Sequence, residues 1–222
     1  MIAFSFNFLD NLIQILSTLF LGSLAIFRDW YTAVFAGPKL AVSIRDPEGE
    51  SIPIFVNGAQ YPGFYYHLTI SNKRKWAPAS NVRVLIEQEW FVDVAGQALN
   101  SRIAGPVQLD WRLPLTRPIS VTVRAEDICD LAYIAQGRPL VIAVPQQQRP
   151  VNFHGAVSAG ECEIFQVRAV ADNGNSAAIW IRIQWDGQWS VSRRTMKDHL
   201  IITAVQNPDL SNGRVTPPPN RL

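Results

Sequence analysis

Three histidines, two cysteines and a formal charge of only +2 in 222 residues leave this chain with little of the material from which active sites are commonly built. His67, His154 and His199 lie far apart, and no His-x₃-His or Cys-x-x-Cys step draws ligands together, so no metal and no cofactor are expected. Nucleophile elbow, phosphate-cradling glycine loop and dinucleotide fingerprint are all absent, and the expectation is a protein that is not an enzyme. So weak a net charge gives no electrostatic footprint for nucleic acid. Cys129 and Cys162 show no metal-ligand spacing; they read either as one bridge in an exported domain or as two free buried thiols in a reducing compartment. What the chain does have is 48% hydrophobic residues, 7 tryptophans and 15 prolines against 17% charged, a balance that excludes general disorder and fits a packed β domain.

Charge is missing altogether from residues 11–27, and Asp10 is the only charged residue between Phe4 and Phe27. As a helix at ~1.5 Å per residue, 4–27 would reach about 36 Å, against a hydrocarbon core of roughly 30 Å. Projected at 100° per residue, Asp10, Asn11, Gln14, Ser17, Thr18 and Gly22 share one side with Leu21 and Ala25. Leucine, isoleucine and phenylalanine cover the rest. A surface-lying amphipathic helix would carry cations along its polar face, and none occurs before Arg28. A cleaved signal peptide would need a basic start and a small-residue site soon after the core; the nearest, 34–36, lies beyond Arg28 and Asp29. A buried helix of a soluble domain is the third alternative. The segment is therefore expected to be a single membrane span, with Asn11, Gln14, Thr18 and Gly22 forming a face for helix association; Thr18 and Gly22 make a small-xxx-small step. Arg28, Lys39 and Arg45 follow the span and no Lys or Arg precedes it, which predicts an inner-membrane protein with its N-terminus outside and its C-terminal domain in the cytoplasm. Trp30 and Tyr31 suit the interfacial belt on that side, and Gly37-Pro38 breaks the helix.

Beyond that break the chain is written in short strand phrases. Phe64, Tyr66, Leu68 and Ile70 alternate with polar positions, His67 among them; Val82, Val84 and Ile86 do the same, as do Ile119, Val121 and Val123. Segments 164–171 and 178–185 flank Asp172-Asn173-Gly174-Asn175, a hairpin turn, with Ile179, Ile181, Ile183 and Trp185 on one face and Trp180, Arg182 and Gln184 opposite. Shorter strands are expected at 40–44, 52–56, 106–111, 140–144 and 199–205, and a helical turn at 127–133 and again at 193–197. The fold class is all-β: an antiparallel sandwich over 37–205, preceded by one transmembrane helix within 1–36 and followed by a disordered Pro-rich tail, 206–222.

His67-Leu68-Thr69-Ile70-Ser71-Asn72, a short basic loop, and then Ala77-Pro78-Ala79-Ser80-Asn81-Val82-Arg83-Val84 resemble a strand–turn–strand phrase of immunoglobulin-like bacterial modules of the cell-adhesion-related type. In that family an N-x-G … A-x-N-V-x-V hairpin closes one edge of a sandwich; here Lys73-Arg74-Lys75 replaces the glycine turn. Residues 183–190, followed by Met196-Lys197-Asp198-His199-Leu200, resemble a phrase of uncharacterised bacterial single-pass membrane proteins, which implies no activity. The resemblance implies an immunoglobulin-like fold.

Two loops stand out as candidate sites. Lys73, Arg74, Lys75 and Trp76 set three cations beside an indole, suited to acidic lipid head groups or an anionic ligand, or else to a solvated hairpin loop. Trp185 and Trp189 bracket Asp186-Gly187-Gln188 and would form an aromatic platform, or fold inward around a tight turn. Glu126, Asp127 and Asp130 around Cys129 read as a polar connection between strands, or as a cation site. The expected function is a membrane-tethered interaction or scaffold module whose partners are membrane lipid and a protein, or a second copy of itself. The alternatives are a ligand-sensing membrane effector that binds a small anionic molecule, and an exported envelope or adhesion module.

Overall fold

The computed structural model describes residues 3–27, 36–56, 58–93, 96–112, 119–145 and 149–206. Arg28, Trp30, Tyr31 and the tail from 207 lie outside the described residues. Helix α1 (Ala3–Ile26) comes first. The chain then forms β1 (Leu40–Ile44), β2 (Glu50–Ser51), β3 (Ile54–Val56), β4 (Ala59–Tyr61), β5 (Gly63–Asn72) and β6 (Ala79–Val92). Next come β7 (Ala98–Asn100), β8 (Val107–Gln108), β9 (Val121–Val123), β10 (Glu126–Ala135), β11 (Leu140–Ile142) and β12 (Ala156–Val157). The last part holds β13 (Cys162–Ala171), β14 (Gly174–Asn175), β15 (Ile179–Trp185), a short helix α2 (Arg193–His199) and β16 (Leu200–Val205).

The architecture is all-β, two antiparallel sheets closed on one core. The first sheet runs β1-β5-β10-β11-β12, with β2 on β5; the second runs β16-β15-β13-β6-β7, with β8 and β9 on β6 and β14 on β13. Strands β3 and β4 make a separate hairpin. Period-two alternation sends Phe64, Tyr66, Leu68 and Ile70 of the first sheet against Val82, Val84, Ile86, Phe165, Val167, Ile181 and Ile183 of the second, and all are buried. The 172–175 turn forms as expected, with Val170 paired to Asn175 and Ala171 to Gly174.

Four expectations are corrected. Segment 127–133 is not helical but part of β10, central in its sheet. A bulge between Asp130 and Ala132 inserts Leu131, and Cys129, Leu131, Ala132 and Ile134 are all buried in the core, which breaks the period-two pattern of the strand. The same geometry removes the polar connection expected around Cys129. Ile119 lies outside β9 and is exposed; only Val123 of that phrase is buried and Val121 is half-buried. Finally, the phrase around Lys73–Trp76 is not a hairpin, because β5 and β6 belong to different sheets: it is an arch from one sheet to the other.

Helix α2 does form where a helical turn was expected. Its Met196 is fully buried, while Lys197 pairs with Glu48 at 2.8 Å and Arg193 with Asp46, tying it to the β1–β2 turn. Side chains of α1 are described from Asp10 to Ser23, and among the described residues no helix is long and apolar enough to cross a membrane.

Candidate functional site

The arch is organised by a buried amide. Asn72 Oδ1 accepts from the backbone N–H of Lys39 and of Arg74, both at 3.0 Å, while Nδ2 donates to the carbonyls of Ala77 at 2.7 Å and Val123 at 3.4 Å. Each position of that side chain is thus used, and together they pin the arch to the start of β1 and to β9. Lys73 N–H donates to the Lys39 carbonyl and the Arg74 guanidinium to that of Gly37, so the arch clasps the segment through which the chain arrives from α1. Arg74 also lies over the Trp76 ring, 5.9 Å from its centroid. Trp76 is 67% exposed, and Lys73 and Lys75 are exposed beside it. Of the three cations, then, Arg74 has structural contacts and the two lysines project.

On α1 the described apolar side chains Leu12, Ile13, Ile15, Leu16, Leu19, Phe20 and Leu21 are 44–65% exposed, and no strand packs extensively on them. The four residues of the expected association face are exposed as well. The Thr18 hydroxyl donates to the Gln14 carbonyl at 2.7 Å, so its own helix already satisfies it. A Cβ at Gly22 would meet nothing within 4 Å, which leaves that point open to close approach.

The Trp185–Trp189 turn presents no platform. Trp185 is buried and donates from Nε1 to the Gln188 carbonyl at 3.0 Å; Trp189 is half-buried, its ring 5.4 Å from that of Phe64. Gly187, at φ +91°, sits where a Cβ would come within 2.6 Å of Ala159, so the turn needs glycine. Cys129, in the first sheet, and Cys162, in the second, are buried free thiols, and burial pushes both upward in pKa.

Two clusters escaped the sequence. His67 sits on the face opposite the core, as expected, yet it is buried: Nδ1 lies 2.8 Å from Asp130, Nε2 faces Glu50 at 3.4 Å without hydrogen-bond geometry, and Tyr65 stacks alongside. The Arg112 guanidinium, 2.7 Å from Glu50, holds that carboxyl below its usual range. The second cluster lies at the opposite end of β6 from the arch, ten residues or roughly 30 Å along the strand. There Glu89 and Glu163, both fully buried, stand with Glu161 and His154. Burial, then Glu89 and Glu161, push the Glu163 carboxyl up to about 9. A bulge between β6 and β13, at Gln166/Val167, switches the phase of β6 and turns Glu89 inward, which the sequence pattern gives no way to see. The only available signal for this cluster was Glu161 and Glu163 two apart at the head of a strand.

No family model, curated protein or solved structure matches this chain.

Proposed function

We propose that the protein is a membrane-tethered interaction module, with α1 in the bilayer and the sandwich held against the cytoplasmic surface by its basic arch. The observation that carries this reading is the exposed apolar surface of α1. Seven large apolar side chains on one helix, uncovered by the chain's own strands, call for lipid or another helix as cover. The arch supports the same arrangement. Lys73, Lys75 and Trp76 project beside Gly37 and Lys39, where the chain enters the sandwich from α1, so the basic loop would face the head groups. Two free buried thiols suit the cytoplasmic side, which Arg28, Lys39 and Arg45 also favour. For the sandwich we propose an immunoglobulin-like relationship; the sheet-crossing arch suits Greek-key connectivity.

Fusions of alkaline phosphatase and of a fluorescent protein to the C-terminus test the tether, together with carbonate extraction of membranes. The expected result is a carbonate-resistant protein with a bright fluorescent fusion and an inactive phosphatase. Release into the carbonate supernatant would remove the span, and an active phosphatase would invert it.

A second reading, ligand sensing, is favoured by a cleft of about 360 Å³ beside the arch, lined by Lys39, Lys73, Val42 and Ile179. Two lysines over an apolar floor suit a small anionic ligand. A ligand-dependent thermal shift lost in Lys39→Ala/Lys73→Ala distinguishes sensing from scaffolding.

A further inference from the structure

The membrane tether makes no use of the far end of the sandwich, and the cluster there is independent of it. We propose that His154, Glu161 and Glu163 bind one divalent transition-metal ion of the Zn²⁺ or Mn²⁺ type. One ligand atom from each lies within 4.8 Å of the others. The independent sign of a ligand is Glu163 itself. Its side chain is fully buried; Oε1 meets His154 Nδ1 within the cluster, while Oε2 of the same carboxyl has no hydrogen-bond partner. A carboxyl oxygen left without a partner in the interior is unfavourable, and a bound cation, displacing the carboxyl proton, is a direct way to satisfy it.

The donor set selects the ion. One imidazole nitrogen with carboxylate oxygens suits borderline metals, whereas Mg²⁺ and Ca²⁺ take oxygen alone. Metal–ligand lengths of about 2.1 Å put adjacent tetrahedral donors about 3.4 Å apart. His154 Nδ1 and Glu163 Oε1, hydrogen-bonded to each other here, are 3.3 Å apart, and an ion would replace the proton they share.

The surroundings hold these groups in place. Glu89 accepts from the backbone N–H of His154 at 3.3 Å and of Gly155 at 3.4 Å, which fixes the loop that carries the imidazole. Gly155 has φ +65°, and a Cβ there would come within 2.7 Å of the Phe153 ring, so this loop too depends on glycine. The Phe91 and His154 rings make a T-shaped contact with centroids 5.5 Å apart, and Ser158 N–H donates to Glu161 Oε2 at 2.6 Å, leaving the other oxygen for a ligand. His154 is half-exposed, which gives an ion a way in.

The test uses the untagged full chain in mild detergent, stripped with EDTA and dialysed, with thermal unfolding followed against ZnCl₂, MnCl₂, MgCl₂ and CaCl₂. Zn²⁺ and Mn²⁺ are expected to raise the midpoint by about 5 °C at saturation. Electron paramagnetic resonance should show one Mn²⁺ bound per chain. His154→Ala and Glu163→Gln should each weaken binding at least about tenfold. Glu163→Gln keeps the shape of the side chain, so its circular dichroism is expected to match the wild type. No shift with either metal, a shift that survives in both variants, or a response to Mg²⁺ and Ca²⁺ alone would each overturn the assignment.

Discussion

Glu163 carries a penalty that depends on pH, and its sign can be worked out. The folded carboxyl titrates near 9, above its ordinary 4.5, because burial and the neighbouring Glu89 and Glu161 disfavour its charge; the imidazole 3.3 Å away does not offset them. Below pH 4.5 the group is protonated in both states and contributes nothing. Between 4.5 and about 9 the unfolded chain releases a proton that the metal-free folded chain keeps, so stability falls as pH rises, by about 1.4 kcal/mol per unit at most. Glu163→Gln removes this titration. In chelator, urea unfolding should show the variant close to wild type at pH 4.5 and progressively more stable than it up to pH 8.5. A constant difference across that range would mean that Glu163 is not the group responsible. Asn72 shows a different kind of residue-scale information. As a letter in the sequence it is one polar residue at a strand end; in the fold its four hydrogen bonds hold the β1 entry, the arch and β9 together. No local pattern announces such a role, because two of its four partners come from segments 33 and 51 residues away.

At the scale of elements, the long strands were legible and the bulges were not. Alternation placed β5, the first half of β6 and β15 in phase, because one face of each meets the core, and it located β13 without its phase. Where a bulge shifts the count, as in β10 and β6, the pattern misleads or falls silent. Facing away from the core also turned out not to mean exposure. Arg182 lies opposite Ile181 and Ile183, yet it is buried, its guanidinium donating to Cys162 Sγ at 3.2 Å and to Gln184 at 3.1 Å. The outer face of that sheet carries its own small apolar cluster of Ile164, Ala98, Trp90 and Trp180. Ile181→Asp should therefore cost about 4 kcal/mol or more, by putting an unpaired carboxylate in the core. Arg182→Asp should cost about 1–3 kcal/mol, and Arg182→Leu close to nothing. Urea denaturation measures all three, and equal losses for the two aspartates would show the phase of β15 to be wrong. The arch allows a similar separation. A fragment beginning at Gly37, which is buried in the sandwich, should fold alone and bind vesicles containing anionic lipid. Lys73→Ala with Lys75→Ala should weaken that binding about 30-fold at ~1 kcal/mol per lysine, with an unchanged melting temperature. Arg74→Ala should lower the melting temperature as well, since it gives up Gly37 and Trp76. Binding that ignores both the lysines and the salt concentration would remove the arch from the membrane surface.

The whole molecule combines a packed sandwich with a helix that this sandwich leaves uncovered. The tether proposed for α1 would need only to be apolar, and α1 is not uniformly so: Asn11, Gln14, Thr18 and Gly22 interrupt it along one side. The hydroxyl of Thr18 is occupied by its own helix, so the amides of Asn11 and Gln14 and the opening at Gly22 are what the face offers a partner. Hydrogen bonds between membrane helices contribute about 0.6–2 kcal/mol each, and glycine permits close backbone approach. Two such contacts are enough to favour a pair of helices over a lone one. Gln14→Leu with Gly22→Ile should therefore weaken self-association, read by bacterial two-hybrid signal and by crosslinking of the full chain, while carbonate-resistant insertion persists. Thr18→Val should matter less, because it removes a group already satisfied within the helix. Leu16→Ala with Leu19→Ala, on the apolar side, should leave association intact. If the apolar pair proves as damaging as the polar one, the helices meet through ordinary hydrophobic packing and the polar stripe faces something else. If neither pair changes the signal, α1 does not associate with itself through either face, and its partner must be a different helix or lipid alone.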